Sequence, residues 1–177
     1  MSTEPATRPR VVLVGPMGAG KTTVGRRLAE RWQTGFRDTD QDIESTQGTS
    51  VSDIFVDLGE PHFRELEREA VLAALQGHSG VLAVGGGAVL DPGTRAALEG
   101  HQVVFLRVGL SDAAQRVGLG VSRPLLLGNV RGQMKKLIDE RTPVYESVAT
   151  HVVDTDGLTV DAVVEQVLAA LDGVLHE

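Results

Sequence analysis

The segment GPMGAGKT at 15–22 fills the spacing GxxxxGK[ST] without a gap, and its surroundings fix what it can be. An apolar run, Val11 to Val14, precedes it, and Val24, Leu28, Ala29 and Trp32 follow at helical spacing. Strand, glycine turn and helix in that order form a phosphate cradle. Gly15, Gly18 and Gly20 allow a tight turn whose backbone N–H groups converge on phosphate oxygens. Lys21 then brings a point charge to the β- and γ-phosphates, and Thr22 brings a hydroxyl to Mg²⁺. The helix that starts there adds its positive dipole end. The alternative is a glycine-rich strand–helix turn that meets these positions by chance, and the correct flanks on both sides argue against it. Binding of a nucleoside triphosphate is the expectation.

At 177 residues the chain is expected to form one domain over 10–171, preceded by a flexible polar tail over 1–9 that Pro5 and Pro9 interrupt. A hydrophobic fraction of 41% and a charged fraction of 23% suit a soluble globular protein. The net charge of −7 offers no global attraction to nucleic acid or to an anionic membrane, so neither is expected as a partner. The chain has no cysteine, which excludes a disulfide frame and a zinc–thiolate site and fits a reducing compartment. His62, His78, His101, His151 and His176 show no metal-ligand spacing. No run is long enough to span a bilayer and no signal-peptide core is present, so a cytoplasmic location is expected.

Short apolar strands alternate with helical patterns along the chain. The strands expected are 11–14, 36–38, 81–84, 103–108 and 151–154, with helices over 21–33, 60–76, 92–98, 111–117, 131–149 and 160–171. Such alternation argues for an α/β fold with a parallel sheet covered on both faces. Two stretches do not fit a plain connector. Residues 40–58 look helical, with Ser50 and Asp53 as a capping pair, and suit an inserted substrate-holding subdomain. Residues 118–129 carry Gly118, Gly120 and Gly128 around Arg123, which suits a mobile lid or else an ordinary surface loop.

An acid is needed near the phosphates to help hold the metal. The strand at 81–84 runs into Gly85-Gly86-Gly87 and supplies none, whereas the second strand ends in Asp38-Thr39-Asp40. Two carboxylates at i and i+2 of an extended segment point the same way, one toward a metal and one toward a second substrate. The plainer alternative makes Asp40 only the cap of the helix that follows. The string DTDG at 154–157 matches the DxxG of GTP switch proteins, but no NKxD accompanies it and a GTPase is excluded. Arg64, Arg123 and Arg141 are candidates for reading a carboxylate or phosphate bidentately. For Arg64 and Arg141 the competing account is a solvated helix face.

Taken together, these residues resemble the shikimate kinase family over nearly the whole of 10–171. The matching elements are GPMGAGKT, the DTD at 38–40, the GE..FR..E segment at 59–67, the GGG at 85–87, RPLL at 123–126 and ER.P.Y at 140–145, in the family's order. The resemblance implies a three-layer P-loop kinase fold of the nucleoside monophosphate kinase type. Its five-stranded parallel sheet would have order 2-3-1-4-5, with a substrate-binding subdomain and a closing lid. It implies ATP held by Gly18, Ala19, Gly20, Lys21, Thr22 and Thr23, adenine stacked on Arg116, and Arg123 closing onto the transferring phosphate. Mg²⁺ would be served by Thr22 and Asp38. Shikimate would have its carboxylate gripped by Arg64 and Arg141, with Glu67 orienting Arg64. Its hydroxyls would be held by Asp40 and the backbone of Gly86 and Gly87, between apolar walls at Phe55 and Phe63. Lys21, Asp40 and Arg123 would be the catalytic residues. The implied reaction is ATP-dependent phosphorylation of the 3-hydroxyl of shikimate, in chorismate and aromatic amino acid biosynthesis, by a protein expected to be monomeric. The competing readings are a gluconate kinase and a nucleotide-dependent binding module without turnover.

Overall fold

A computed structural model of the protein describes residues 7–116 and 124–175. Strand β1 (Val11–Val14) is fully buried at every position. An unbroken run of β-branched and aliphatic residues suits a central strand covered on both faces. Its register agrees. β1 pairs in parallel with β3 (Val81–Ala83) on one side and with β4 (Val103–Arg107) on the other. β2 (Phe36–Asp38) and β5 (His151–Asp154) add in parallel at the edges, giving the expected order 2-3-1-4-5.

Alternate strand residues point to opposite faces, and the core divides accordingly. Val11, Leu13, Val104 and Leu106 pack with α1 (Lys21–Arg31), α6 (Leu110–Arg116) and α8 (Val160–Leu175). Val12, Val14, Val103 and Phe105 pack with α4 (Glu60–Gly77), α5 (Pro92–Leu98) and α7 (Pro124–Val148), and with a 3₁₀ turn at Ala88–Leu90. A third, smaller cluster of Ile43, Ile54 and Phe63 joins α2 (Thr39–Gln47), α3 (Val51–Leu58) and α4. This is the expected insertion, with a small core of its own. Among the described residues no helix is long and apolar enough to cross a membrane.

Several local expectations change or sharpen. β3 and β4 each stop one residue early, although the Val84 amide still donates to the Leu13 carbonyl at 3.2 Å. The 40–58 stretch, expected to be helical, is made of two helices that part at Gly48, which closes α2 with φ +71. The expected cap of the second is present, the Asp53 amide donating to Ser50 Oγ at 3.1 Å. Asp40 is not on an extended segment but in the first turn of α2, because Asp38 caps that helix by accepting from the Asp40 amide at 2.9 Å. The stretch expected to be irregular over 118–129 is helical from Pro124 onward, proline being well placed at a helix start. Residues 118–123 of the lid candidate, Arg123 included, lie outside the described residues.

Candidate active site

In open parallel sheets the loops that gather at the carboxyl ends of the strands make the binding crevice. Here β1 delivers the phosphate loop, β2 delivers Asp38 and Asp40, and β3 delivers Gly85 to Gly87. Gly18 and Gly20 take φ of +85° and +92°, a region in which a Cβ is strained. A Cβ on Gly18 would also stand 2.7 Å from the Ala113 carbonyl oxygen. Gly20 starts α1 without a side-chain cap, and the first turn carries no acidic residue. The helix end is therefore left open to an anion. Lys21 Nζ donates to the carbonyls of Gly15 at 2.6 Å and Pro16 at 3.2 Å, so it lies across its own loop. Burial lowers its pKa to about 8, against the opposing pull of Asp40 and Asp38.

Thr22 Oγ1 donates to Asp38 Oδ2 at 3.2 Å, while Asp38 Oδ1 is the α2 cap. A hydroxyl beside a carboxylate is a hard-oxygen pair, and no group of three His, Asp or Glu forms a cage among the described residues. That donor set fits Mg²⁺, which retains waters and takes further ligands from phosphate.

The second end of the site is built on the glycine loop. Cβ positions drawn on Gly85 and Gly87 show what glycine leaves room for. At Gly85 the carboxylate oxygens of Asp40 and Glu67 would lie 2.7 and 2.8 Å away, and at Gly87 the Arg64 guanidinium would lie 2.5 Å away. Two carboxylates thus share one corner. Burial, then the Asp38 and Glu67 charges, pushes Asp40 up to about 6. Burial likewise raises Glu67, against the hydrogen bond and charge of Arg64. Arg64 Nη1 donates to Glu67 Oε1 at 2.7 Å. Phe55 and Phe63 stack with ring centroids 4.5 Å apart, and the Arg64 guanidinium lies 5.7 and 5.4 Å from them. Arg141 enters from α7, its Nη1 3.8 Å from the Cβ position of Gly86.

Two hydroxyls that lie in the quoted motifs, DTD at 38–40 and ER.P.Y at 140–145, but were given no role there hold this loop. The buried Thr39 Oγ1 accepts from the Gly85 amide at 3.2 Å, and Tyr145 Oη donates to the Gly86 carbonyl at 2.5 Å. A buried tyrosine needs a partner for its hydroxyl, which was the available signal for the chain's single tyrosine.

At the far end Arg116 Nη1 donates to the carbonyls of Gly18 and Ala19 and to Thr155 Oγ1, and Nη2 donates to the Thr155 carbonyl. The guanidinium so ties the phosphate loop to the loop after β5. The DTDG string at 154–157 is structural there: Asp156 accepts from the Gly109 amide, and the Gly157 amide donates to Asp112. One cleft of about 810 Å³ joins these parts. It runs from Phe55, Arg64 and Arg141, past Asp40, Lys21 and the phosphate loop, to an apolar end at Met134, Ile138, Leu158 and Val163. Thr23, Gly86, Gly87 and Arg116 also line it.

A family model described as shikimate kinase matches residues 17–172. The chain belongs to the shikimate kinase family. A shikimate kinase from Salinispora arenicola is 58% identical over 163 residues, 92% of this chain and 98% of the relative. One from Frankia casuarinae is 57% identical over 165 residues, 93% of this chain and 73% of the relative. A solved shikimate kinase from Acinetobacter baumannii, in complex with shikimate, superimposes with a TM-score of 0.85 at 34% identity and covers 94% of each chain. The P-loop kinase fold of the shikimate kinase family is therefore also the fold of this protein.

Proposed function

We propose that this protein transfers the γ-phosphoryl group of ATP to the 3-hydroxyl of shikimate, giving shikimate 3-phosphate and ADP. It would do so as a monomer in the cytoplasm, within chorismate and aromatic amino acid biosynthesis. The observation that carries the reading is the convergence of Asp40, Arg64 and Arg141 on Gly85 to Gly87, beside the phosphate loop in one cleft. A single negatively charged polyol fits there, its carboxylate between the two guanidiniums and a hydroxyl at Asp40.

Phosphoryl transfer asks the protein for position and charge more than for covalent chemistry. The 3-hydroxyl oxygen forms a bond to the γ-phosphorus, the bond to the β,γ-bridging oxygen breaks, and ADP leaves. The hydroxyl proton passes to Asp40, whose pKa of about 6 leaves it ionised at neutral pH yet more basic than an exposed aspartate. Lys21 neutralises the β- and γ-phosphates, with the amides of Gly18, Gly20, Thr22 and Thr23 around them, while the Ala19 amide donates to the Pro16 carbonyl at 3.1 Å. Thr22 and Asp38 would hold Mg²⁺, which when bound offsets charge on the phosphate oxygens. Arg116 and the apolar end of the cleft take the adenine. Arg123 completes the charge from the lid, an assignment that rests on the family resemblance.

A coupled assay of ADP release decides the reading. With ATP and Mg²⁺, release should depend on shikimate and remain at background with gluconate. Equal turnover of both acids would remove shikimate as the substrate.

A further inference from the structure

We infer that Tyr145 is a positioning residue for the acceptor substrate, acting through the Gly86–Gly87 peptide. Its ring is fully buried and packs on Phe105 at 5.0 Å between centroids, so the hydroxyl has a fixed direction. That hydroxyl donates to the Gly86 carbonyl at 2.5 Å. In a trans peptide the carbonyl and the following N–H point in opposite directions. Holding the Gly86 oxygen toward the core therefore turns the Gly87 N–H the other way, and Gly87 lines the cleft. Among the described residues the Gly86 and Gly87 amides donate to no other group. A donor left without a protein partner at the wall of a cleft is available to a ligand oxygen. The bond to the carbonyl also polarises the same peptide and strengthens its N–H as a donor.

The geometry has a second anchor. Thr39 Oγ1 takes the Gly85 amide, so hydroxyls from α2 and α7 fix the loop from two sides. Each stands close in sequence to a residue of the acceptor end, Thr39 beside Asp40 and Tyr145 one helical turn beyond Arg141. Tyr145 thereby couples the placement of the Arg141 helix to that of the Gly87 donor. The inference rests on the proposed phosphorylation of shikimate and names a residue that touches neither substrate.

Steady-state kinetics on Tyr145→Phe test it, because only the hydroxyl is removed. KM for shikimate should rise about 3- to 10-fold, with kcat and KM for ATP held within about twofold. Loss of packing alone would lower the melting temperature without this split. A wild-type KM for shikimate in the variant, whatever its melting temperature, overturns the inference. Should Tyr145→Phe be unfolded at the assay temperature, both proteins are compared at a lower temperature at which the variant is folded, and a wild-type KM for shikimate there overturns the inference. A wild-type protein without shikimate-dependent ADP release overturns the functional reading and this inference with it. A shikimate-dependent wild type whose Tyr145→Phe variant keeps KM overturns this inference alone.

Discussion

Burial and the neighbouring Asp38 and Glu67 charges push Asp40 up to about 6, so at neutral pH the free protein keeps it ionised against its surroundings. The folded state holds this proton more tightly than the unfolded chain, whose reference value is 3.8. The sign follows: the ionised group destabilises the fold fully above pH 6, and the penalty fades as pH falls toward the unfolded value. About two pK units correspond to roughly 3 kcal/mol at neutral pH. Asp40→Asn removes that penalty and, on the proposed mechanism, the proton acceptor as well. Its melting temperature without ligands at pH 7.5 should rise by roughly 3–10 °C, while kcat falls ~10²- to 10⁴-fold. Calorimetry and turnover on one preparation check both, and a less stable, fully active variant would return Asp40 to a structural role. The same carboxyl sets an acid limb, with kcat/KM for shikimate falling as pH drops through about 6. Lys21 sets the alkaline counterpart. Its pKa is lowered to about 8, and phosphate charge would raise it again, so nucleotide binding near pH 8.5 should take up a proton. Titration calorimetry in buffers of different ionisation enthalpy measures that uptake, and a value of zero would place Lys21 away from the phosphates.

Elements differ in how far the sequence disclosed them, and the reasons are physical. β1, β2 and β5 are readable to the residue because each is a short apolar or edge run bounded by turn chemistry. The division of 40–58 into α2 and α3 turns on Gly48 adopting φ +71, and the helical place of Asp40 turns on which of two nearby aspartates takes the cap. Composition does not distinguish those outcomes, since either aspartate caps well. Residues given a role within the motif windows were legible because the chemistry fixes their spacing. Thr39 and Tyr145 stand in the same windows, in DTD and ER.P.Y, but their roles were not legible, for they act through loop contacts 46 and 59 residues away in sequence. The α2–α3 pair also carries its own mechanical consequence. It rests on a cluster of only three buried residues, Ile43, Ile54 and Phe63, while Phe55 and Phe63 border Arg64. Ile54→Ala removes packing worth about 2–5 kcal/mol from a unit with little in reserve. The loss should appear as local opening rather than global unfolding. KM for shikimate is expected to rise by about 10-fold or more with KM for ATP little changed, and amides of 39–58 should exchange faster while those of β1 do not. Uniform loosening of both would show that the insertion has no independent stability.

On the scale of the whole molecule, the sheet order places two binding regions at the carboxyl ends of adjacent strands and joins them in one cleft. On the proposed function, the nucleotide region draws on β1, α1, α6 and the loop after β5, whereas the acceptor region draws on β2, α2 to α4, the glycine loop and α7. Lys21, Asp38 and Asp40 lie where the two meet, as does Gly86, whose Cβ position is 3.6 Å from the Gly15 carbonyl oxygen. Ligands that bind the folded state alone stabilise it by mass action, about 2.7 kcal/mol at a hundredfold excess over Kd, or roughly 5–10 °C for a chain of this size. MgATP and shikimate should therefore each raise the melting temperature of the wild-type protein. Arg141→Ala strips one guanidinium from the acceptor region and leaves the phosphate loop intact. Loss of a charge-assisted bidentate contact weakens binding by about 30- to 1,000-fold, enough to erase the shift with shikimate while that with MgATP persists. Arg64→Ala should behave alike, with an added loss of stability because Glu67, buried beside it, is left without its partner. A thermal-shift series over the two variants and two ligands measures all of this at once. If Arg141→Ala abolished the MgATP shift as well, the cleft would not be divided as its geometry indicates, and the carboxylate grip would have to be reassigned to the phosphate end.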